Sequence, residues 1–228
     1  VPIKRRGSPL YEARSRLHDV TVVQTDHGIA LLVDGVLRAI ESDEKKFFAH
    51  LVLPAMVQAG KLERVLVLGG GDGLATRDAL KFSPDSVTVI DPDCVIFGVA
   101  QKAPFTTLNN SSLTDAKVTK QCAMLDSYLK GVSKPFDVVI VHLPDPTTDV
   151  IAKLYNNDLA RLLRKAVVKG GTLSFVGTMK TGRVEPVIAS LEKLFKYKQL
   201  VTKEIPLYGE RKFLLVSDLE LVPRRNPI

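Results

Sequence analysis

The spacing of apolar positions changes near residue 43. Before it, the runs are short: Val20, Val22 and Val23, then Gly28, then Ile29 to Val33, Asp34-Gly35, and Val36 to Ile40. Asp-Gly between two apolar runs predicts a β-hairpin. Residues 16–42 therefore read as a small antiparallel sheet of two to four strands, too small to be stable by itself. After residue 43 the runs alternate between helical and strand spacing. Asp43-Glu44 opens a helical stretch with Phe47, Phe48, Leu51, Val52 and Met56 on its apolar side, and Gly60 ends it. Strands are predicted at 65–68, 87–90, 118–122, 136–141, 172–176, 198–205 and 212–217. Helices are predicted at about 74–82, from about 93, near 126–131, and at about 157–168 and 183–195. Uninterrupted apolar strands alternating with helices predict a parallel sheet covered on both faces, and the last two strands predict an antiparallel edge. The division expected is a β unit over 1–42 and an α/β unit over 43–228.

Composition agrees with this picture. With 45% hydrophobic and 25% charged residues, the 228-residue chain has the make-up of one globular domain, or one domain with a small appendage. No apolar run approaches the roughly 18 residues a membrane span needs. Val1-Pro2-Ile3-Lys4-Arg5-Arg6 leads into no hydrophobic stretch, so neither a secretory signal nor an anchor is expected, and the expected location is the cytoplasm. The formal charge is +7, but Lys4, Arg5, Arg6, Arg224 and Arg225 sit at the ends; setting these five aside from 32 leaves 27 basic against 25 acidic residues. A nucleic-acid partner is therefore not expected. Cys94 and Cys122 each lie in an apolar context and form no CxxC pair, which predicts buried free thiols. His18, His27, His50 and His142 show no ligand spacing, so no metal site is expected.

The strongest chemical signal is Val65-Leu66-Val67-Leu68-Gly69-Gly70-Gly71-Asp72-Gly73. A strand running into glycines and then a helix lets backbone approach a ligand closely. Asp91, eighteen residues past Gly73, stands at the end of the next strand, where nucleotide-binding folds place a carboxylate for ribose hydroxyls. The spacing Gly69-x-Gly71-x-Gly73 is not that of a dinucleotide loop and fits an adenosyl-sulfur ligand better. The alternative is a structural turn with Asp91 capping the following helix. Asp72 inside the loop would repel the carboxylate of S-adenosylmethionine and would favour a ligand ending in an ammonium, as the decarboxylated form does.

In these motifs the chain resembles the spermidine synthase (polyamine aminopropyltransferase) family over roughly residues 15–217. Leu32-Val33-Asp34-Gly35 with Asp43-Glu44, Gly69 to Gly73 with Arg77-Asp78, Asp91-Pro92-Asp93, Leu108-Asn109 and Asp115 to Val118 follow the family's order. So do Phe136 to Val141 with Leu143-Pro144-Asp145-Pro146, Leu154-Tyr155, and Pro206-Leu207-Tyr208. The resemblance implies a Rossmann-like, methyltransferase-type seven-stranded sheet with a small N-terminal antiparallel β domain, often as a dimer. It also implies aminopropyl transfer from decarboxylated S-adenosylmethionine, a co-substrate and not a tightly bound cofactor, to a small amine, with methylthioadenosine as product. Gly69, Gly70, Gly71, Asp72, Gly73 and Asp91 would hold the donor, Met124 and Leu125 would lie at the adenine, and Asp145 and Tyr208 would contact the amine.

The departures fall in this implied site. Phe47-Phe48-Ala49 stands where the family has Tyr-His-Glu, and His142 stands at the family's base aspartate. Met124 replaces an aspartate, Arg38 a glutamine, and Asp91 a glutamate. Met124 can cover an adenine face but cannot accept its amino proton. Lost carboxylates and the gained Arg38 make the acceptor pocket less negative, so a dicationic amine should bind poorly. His142 reads equally as a base near pH 7 and as a hydrogen-bonded strand-end residue. Asp145 reads alternatively as a turn cap and Tyr208 as a half-buried loop aromatic. The expectation is an adenosyl-sulfur-binding protein in which Asp72 holds the donor, His142 serves as base, and transfer is weakened or redirected. The competing expectation is a silent homologue acting as a binding or regulatory partner. A third is an S-adenosylmethionine-dependent methyltransferase, against which Asp72 argues.

Overall fold

The computed structural model describes residues 6–146, 149–156, 158–178 and 182–222. Four antiparallel strands come first: β1 (Tyr11–Arg14), β2 (Asp19–Thr25), β3 (Gly28–Val33) and β4 (Val36–Ile40), paired in chain order. The turn between β3 and β4 has Asp34 at φ 51° and Gly35 at φ 75°, two successive left-handed residues that match the twist of a tight hairpin. A register shift follows between Leu31 and Leu32.

The second sheet has seven strands: β5 (Arg64–Leu68), β6 (Ser86–Asp91), β7 (Val118–Cys122), β8 (Phe136–Val141), β9 (Val167–Gly177), β10 (Tyr197–Ile205) and β11 (Gly209–Ser217). Their order is β10-β11-β9-β8-β5-β6-β7, parallel from β9 to β7 and antiparallel at β9–β11–β10. This is the expected α/β arrangement with its antiparallel edge.

Alternation along the central strands feeds two cores. Val65 and Val67 of β5, with Val138 and Ile140 of β8, join the N-terminal sheet and helices α1 (Glu44–Leu51) and α2 (Leu53–Gln58). Leu66, Leu68, Val139 and Val141 face the opposite layer, with α6 (Leu125–Lys130), α8 (Leu159–Ala166) and α9 (Glu185–Leu194). The remaining helices are α3 (Leu74–Leu80), α4 (Cys94–Ala100), α5 (Phe105–Asn109) and α7 (Asp149–Ala152). Among the described residues no helix is long and apolar enough to cross a membrane.

Several boundaries differ from expectation. The first long helix is divided at Val52, with Pro54 in the opening turn of α2, because proline cannot supply the N–H that would continue α1. The strand expected at 172–176 extends back to Val167, and α8 stops at Ala166.

The cysteine reading is corrected. Cys94 and Cys122 are both exposed and joined in a disulfide, not buried as free thiols. On α4, Ile96, Phe97, Val99 and Ala100 take the buried positions, leaving Cys94 and Gly98 outside. Cys122 closes β7, the exposed edge strand. Parallel pairing sets Asp91 opposite Cys122, which brings residues 28 apart in sequence to a Cα separation of 5.4 Å.

Candidate functional site

The glycine loop leaves the C-terminal end of β5, between β6 and β8, at the point where the strand order reverses and α/β sheets bind ligands. Gly69 has φ +73°, and a Cβ there would collide with the His142 carbonyl oxygen. A Cβ on Gly71 would meet the Asp91 carboxylate at 2.8 Å. Both positions thus exclude a side chain by contact, and Gly69 does so by conformation too. The loop is held from behind by Asn109, which donates to the Asp72 and Ala100 carbonyls at 3.0 and 2.8 Å. Ser112 donates to the Gly73 carbonyl at 2.7 Å.

Asp91 is buried and accepts from the backbone N–H of Gly71 at 3.0 Å and of Asp93 at 2.9 Å. Burial pushes its carboxyl up to about 6 despite these bonds. The cap of α4 is not Asp91 but Asp93, whose side chain accepts from the Val95 N–H at 3.0 Å. The carbonyl of Asp91 takes the N–H of Ala123 at 3.1 Å, which ties the segment before α6 to the end of β6. On that segment Met124 is 45% exposed and Leu125 is buried.

Asp72 is completely buried. One oxygen accepts from the N–H of Leu74 at the start of α3, at 2.9 Å; the other has no hydrogen-bond partner. Facing that second oxygen are the Arg38 Nε at 3.5 Å and the His142 Nδ1 at 3.6 Å, and the His142 Nδ1 is also unpartnered. Burial raises the Asp72 carboxyl above its ordinary range, with Arg38 opposing.

Arg38, on β4, reaches across from the N-terminal sheet. Its Nη2 donates to the carbonyls of both Gly69 and His142, so the guanidinium lies against the glycine loop beside Asp72. His142 follows β8, and its N–H donates to Leu68 at 2.9 Å. Its ring packs 5.2 Å from Phe47 and 5.0 Å from Phe48. Burial, then Arg38 and Arg211, hold the imidazole well below its ordinary pKa and therefore neutral.

Tyr208 is buried and stacks on Phe47 at 4.5 Å, and its hydroxyl accepts from the Ile40 N–H at 3.2 Å. Asp145 forms an ion pair with Arg211 at 3.0 Å, on β11. Two small cavities meet at Arg38. One of about 40 Å³ is lined by Phe47, His142, Asp145, Tyr208 and Arg211, and one of about 20 Å³ by Gly69, Asp91, Pro92 and Ile96.

Of the residues singled out in the sequence, Gly69, Asp72, Asp91, His142, Asp145 and Tyr208 gather around Arg38 and the two cavities, whereas Met124 and Leu125 line neither. Sequence reasoning missed Arg211, which carries no motif and is placed only by the register of the last hairpin. It also missed the task of Arg77, which donates to Glu44 at 2.9 and 2.6 Å, to Asp78 at 2.9 and 3.1 Å, and to the Leu108 carbonyl at 2.6 Å. That buried cation clamps α1, α3 and α5 beneath the loop. The pairing of Asp43-Glu44 with Arg77-Asp78 in the motifs was the available signal.

A family model described as the spermine/spermidine synthase domain matches residues 41–220. A polyamine aminopropyltransferase of Oceanobacillus iheyensis is 30% identical over 218 residues, covering 93% of this chain and 42% of that protein. Polyamine aminopropyltransferase 2 of Ralstonia nicotianae is 35% identical over 161 residues, covering 70% of this chain and 32% of that protein. The chain therefore spans less than half the length of these curated relatives. Among solved structures, a spermidine synthase in complex with the transition state analogue AdoDATO superposes with TM-score 0.84 at 20% identity, over 92% of this chain and 73% of that one. Spermidine synthase from Thermotoga maritima gives TM-score 0.82 at 21% identity, over 92% and 72%. The match runs from the residue after β4 to beyond β11 and so takes in the whole seven-stranded sheet: the chain belongs to the spermine/spermidine synthase family.

Proposed function

We propose that this aminopropyltransferase-type chain binds an adenosyl-sulfur ligand at the 69–73 loop and Asp91, and that its aminopropyl transfer is slow or directed to an altered acceptor. The observation that carries the reading is Asp72, a fully buried carboxylate inside a ligand-type glycine loop whose second oxygen makes no hydrogen bond and has only the Arg38 Nε at 3.5 Å and the His142 Nδ1 at 3.6 Å near it. An unsatisfied buried polar group costs about 1–3 kcal/mol. A buried carboxylate of this kind in a crevice is a functional-site candidate. Decarboxylated S-adenosylmethionine is the donor this reading implies, with methylthioadenosine as product.

In that reaction an amine nitrogen attacks the carbon bound to the sulfonium, the C–S bond breaks, and the nitrogen loses a proton. The His142 Nδ1 makes no hydrogen bond, and burial and two nearby arginines disfavour the imidazolium that taking this proton would form. The Asp145 charge is matched by Arg211, and the Tyr208 hydroxyl already takes an N–H. An amine dication meets little net negative charge there, and these features support slow transfer.

A second reading is favoured by the cavity of about 40 Å³ beside His142. A water needs about 10–15 Å³ of such space, so the cavity has room for only a few water molecules. On that reading the chain is a silent family member, paired with itself or with an active homologue.

One experiment separates the two. Calorimetric titration with methylthioadenosine is followed by a mass-spectrometric assay for methylthioadenosine formed from decarboxylated S-adenosylmethionine with a panel of amines. Binding together with slow product formation is the expected result. Binding without product from any amine selects the silent reading. Absence of methylthioadenosine binding removes the proposal.

A further inference from the structure

The cradle already contains a cation. Arg38 is buried, its Nη2 donates to the carbonyls of Gly69 and His142, and its Nε lies 3.5 Å from the Asp72 oxygen that has no hydrogen-bond partner. Three groups of negative potential therefore converge on one guanidinium. Two of them, Gly69 and Asp72, belong to the glycine loop, and the third caps the strand beside it. Arg38 lines both the cavity at Gly69 and Asp91 and the cavity at Asp145, Tyr208 and Arg211. One guanidinium is thus shared by the two.

We propose that Arg38 is a specificity-determining residue: its guanidinium takes the place beside Asp72 that a ligand's ammonium would need, so the site prefers an uncharged nucleoside thioether and holds a cationic sulfonium amine only weakly. This deepens the reading above and rests on it. Charge sets the sign of the effect. A cationic ligand entering the loop must either share a dry site with Arg38, where two like charges repel strongly, or expel it from two carbonyls and a carboxylate. A neutral thioether such as methylthioadenosine meets neither obstacle. Arginine suits the resident role because its charge persists at any physiological pH and its fork satisfies several acceptors together.

The test is calorimetric titration of wild type, Arg38→Gln and Arg38→Lys with methylthioadenosine and with decarboxylated S-adenosylmethionine. Wild type is expected to bind methylthioadenosine at least tenfold more tightly. Arg38→Gln is expected to shift the ratio by at least tenfold toward the cationic ligand, and Arg38→Lys, which keeps the charge, to retain the wild-type order. Wild type binding both ligands equally overturns the inference while leaving the ligand site standing, and this comparison needs no variant to fold. An unchanged ratio in Arg38→Gln, or a Lys variant that behaves like Gln, overturns it as well. Binding of neither ligand to any of the three proteins overturns both the inference and the site itself.

Discussion

Arg77→Met removes the cation that holds two buried acids beneath the glycine loop. Arg77, Glu44 and Asp78 are all buried, and five hydrogen bonds leave the one guanidinium. Methionine fills most of the volume, so the loss isolates charge and hydrogen bonding from cavity formation. Glu44 would then keep a carboxylate with no cation, and the Leu108 carbonyl would lose the bond it takes from Arg77. Asp78 would retain Lys81 at 2.6 Å. Removing one partner of a buried pair costs about 3–5 kcal/mol, and the lower part of that range applies here because Lys81 remains. At about 2–4 °C per kcal/mol for a chain of this size, a loss of about 3–4 kcal/mol should lower the melting temperature by roughly 6–16 °C. Urea unfolding followed by circular dichroism reads the same quantity through the midpoint, provided the slope is unchanged. Adding Glu44→Leu should recover stability, because the orphaned charge leaves with it. A loss below about 1 kcal/mol for Arg77→Met, the scale of an exposed pair, would show that the cluster is hydrated and that the loop does not depend on it.

Three further outcomes are expected. Gly69→Ala should cost about 1–2 kcal/mol for its left-handed backbone, and more for a Cβ pressed on the His142 carbonyl; chemical denaturation giving a wild-type midpoint would contradict the contact. His142 has a depressed pKa in the fold, so the stability it contributes is present above the ordinary 6.5 and lost below it. Relative to His142→Phe, wild type should weaken by about 1.4 kcal/mol per pH unit between pH 6 and pH 5, as measured by denaturant midpoints. Asp91 runs the other way: its pKa is raised from 3.8 to about 6, so relative to Asp91→Asn the wild type should gain about 3 kcal/mol as pH falls through that window. A parallel pH dependence of the two proteins would remove the buried, raised carboxyl.

The parts of the fold that were legible are those written redundantly. Phe136 to Val141 is apolar at nearly every position because a central parallel strand feeds two cores, and the same holds for Val65 to Leu68. Asp34-Gly35 announces its own backbone conformation. The division of the first helix was less legible: Phe47, Phe48, Leu51 and Met56 keep helical spacing on both sides of Val52, so periodicity runs through the break. The cysteines were misread because exposure of Cys94 depends on which face α4 turns inward, and its pairing depends on parallel register with β7. Neither is carried by the residues around a cysteine.

The site follows the same logic. Gly69, Gly71, Asp72 and Asp91 were legible because each constraint is local: a positive φ, a close approach, a strand end. The charge balance of the candidate site is set by groups that arrive from elsewhere. Arg38 comes from the N-terminal sheet and Arg211 from the last hairpin, and each meets a carboxylate, Asp72 and Asp145, that belongs to the α/β core. In the sequence Arg38 stands out only as a replaced glutamine that lessens the pocket's negative charge; its contacts with the Gly69 and His142 carbonyls and with Asp72 follow once β4 is placed over the loop. Along β4, Arg38, Ala39 and Ile40 are buried in succession, which alternation in a half-exposed strand would forbid. The burial of Arg38 therefore comes from the docking of the small sheet on the glycine loop. Loss of that docking would expose the guanidinium and open the cradle together, so on the proposed reading the N-terminal sheet is part of the candidate site and not merely attached to it.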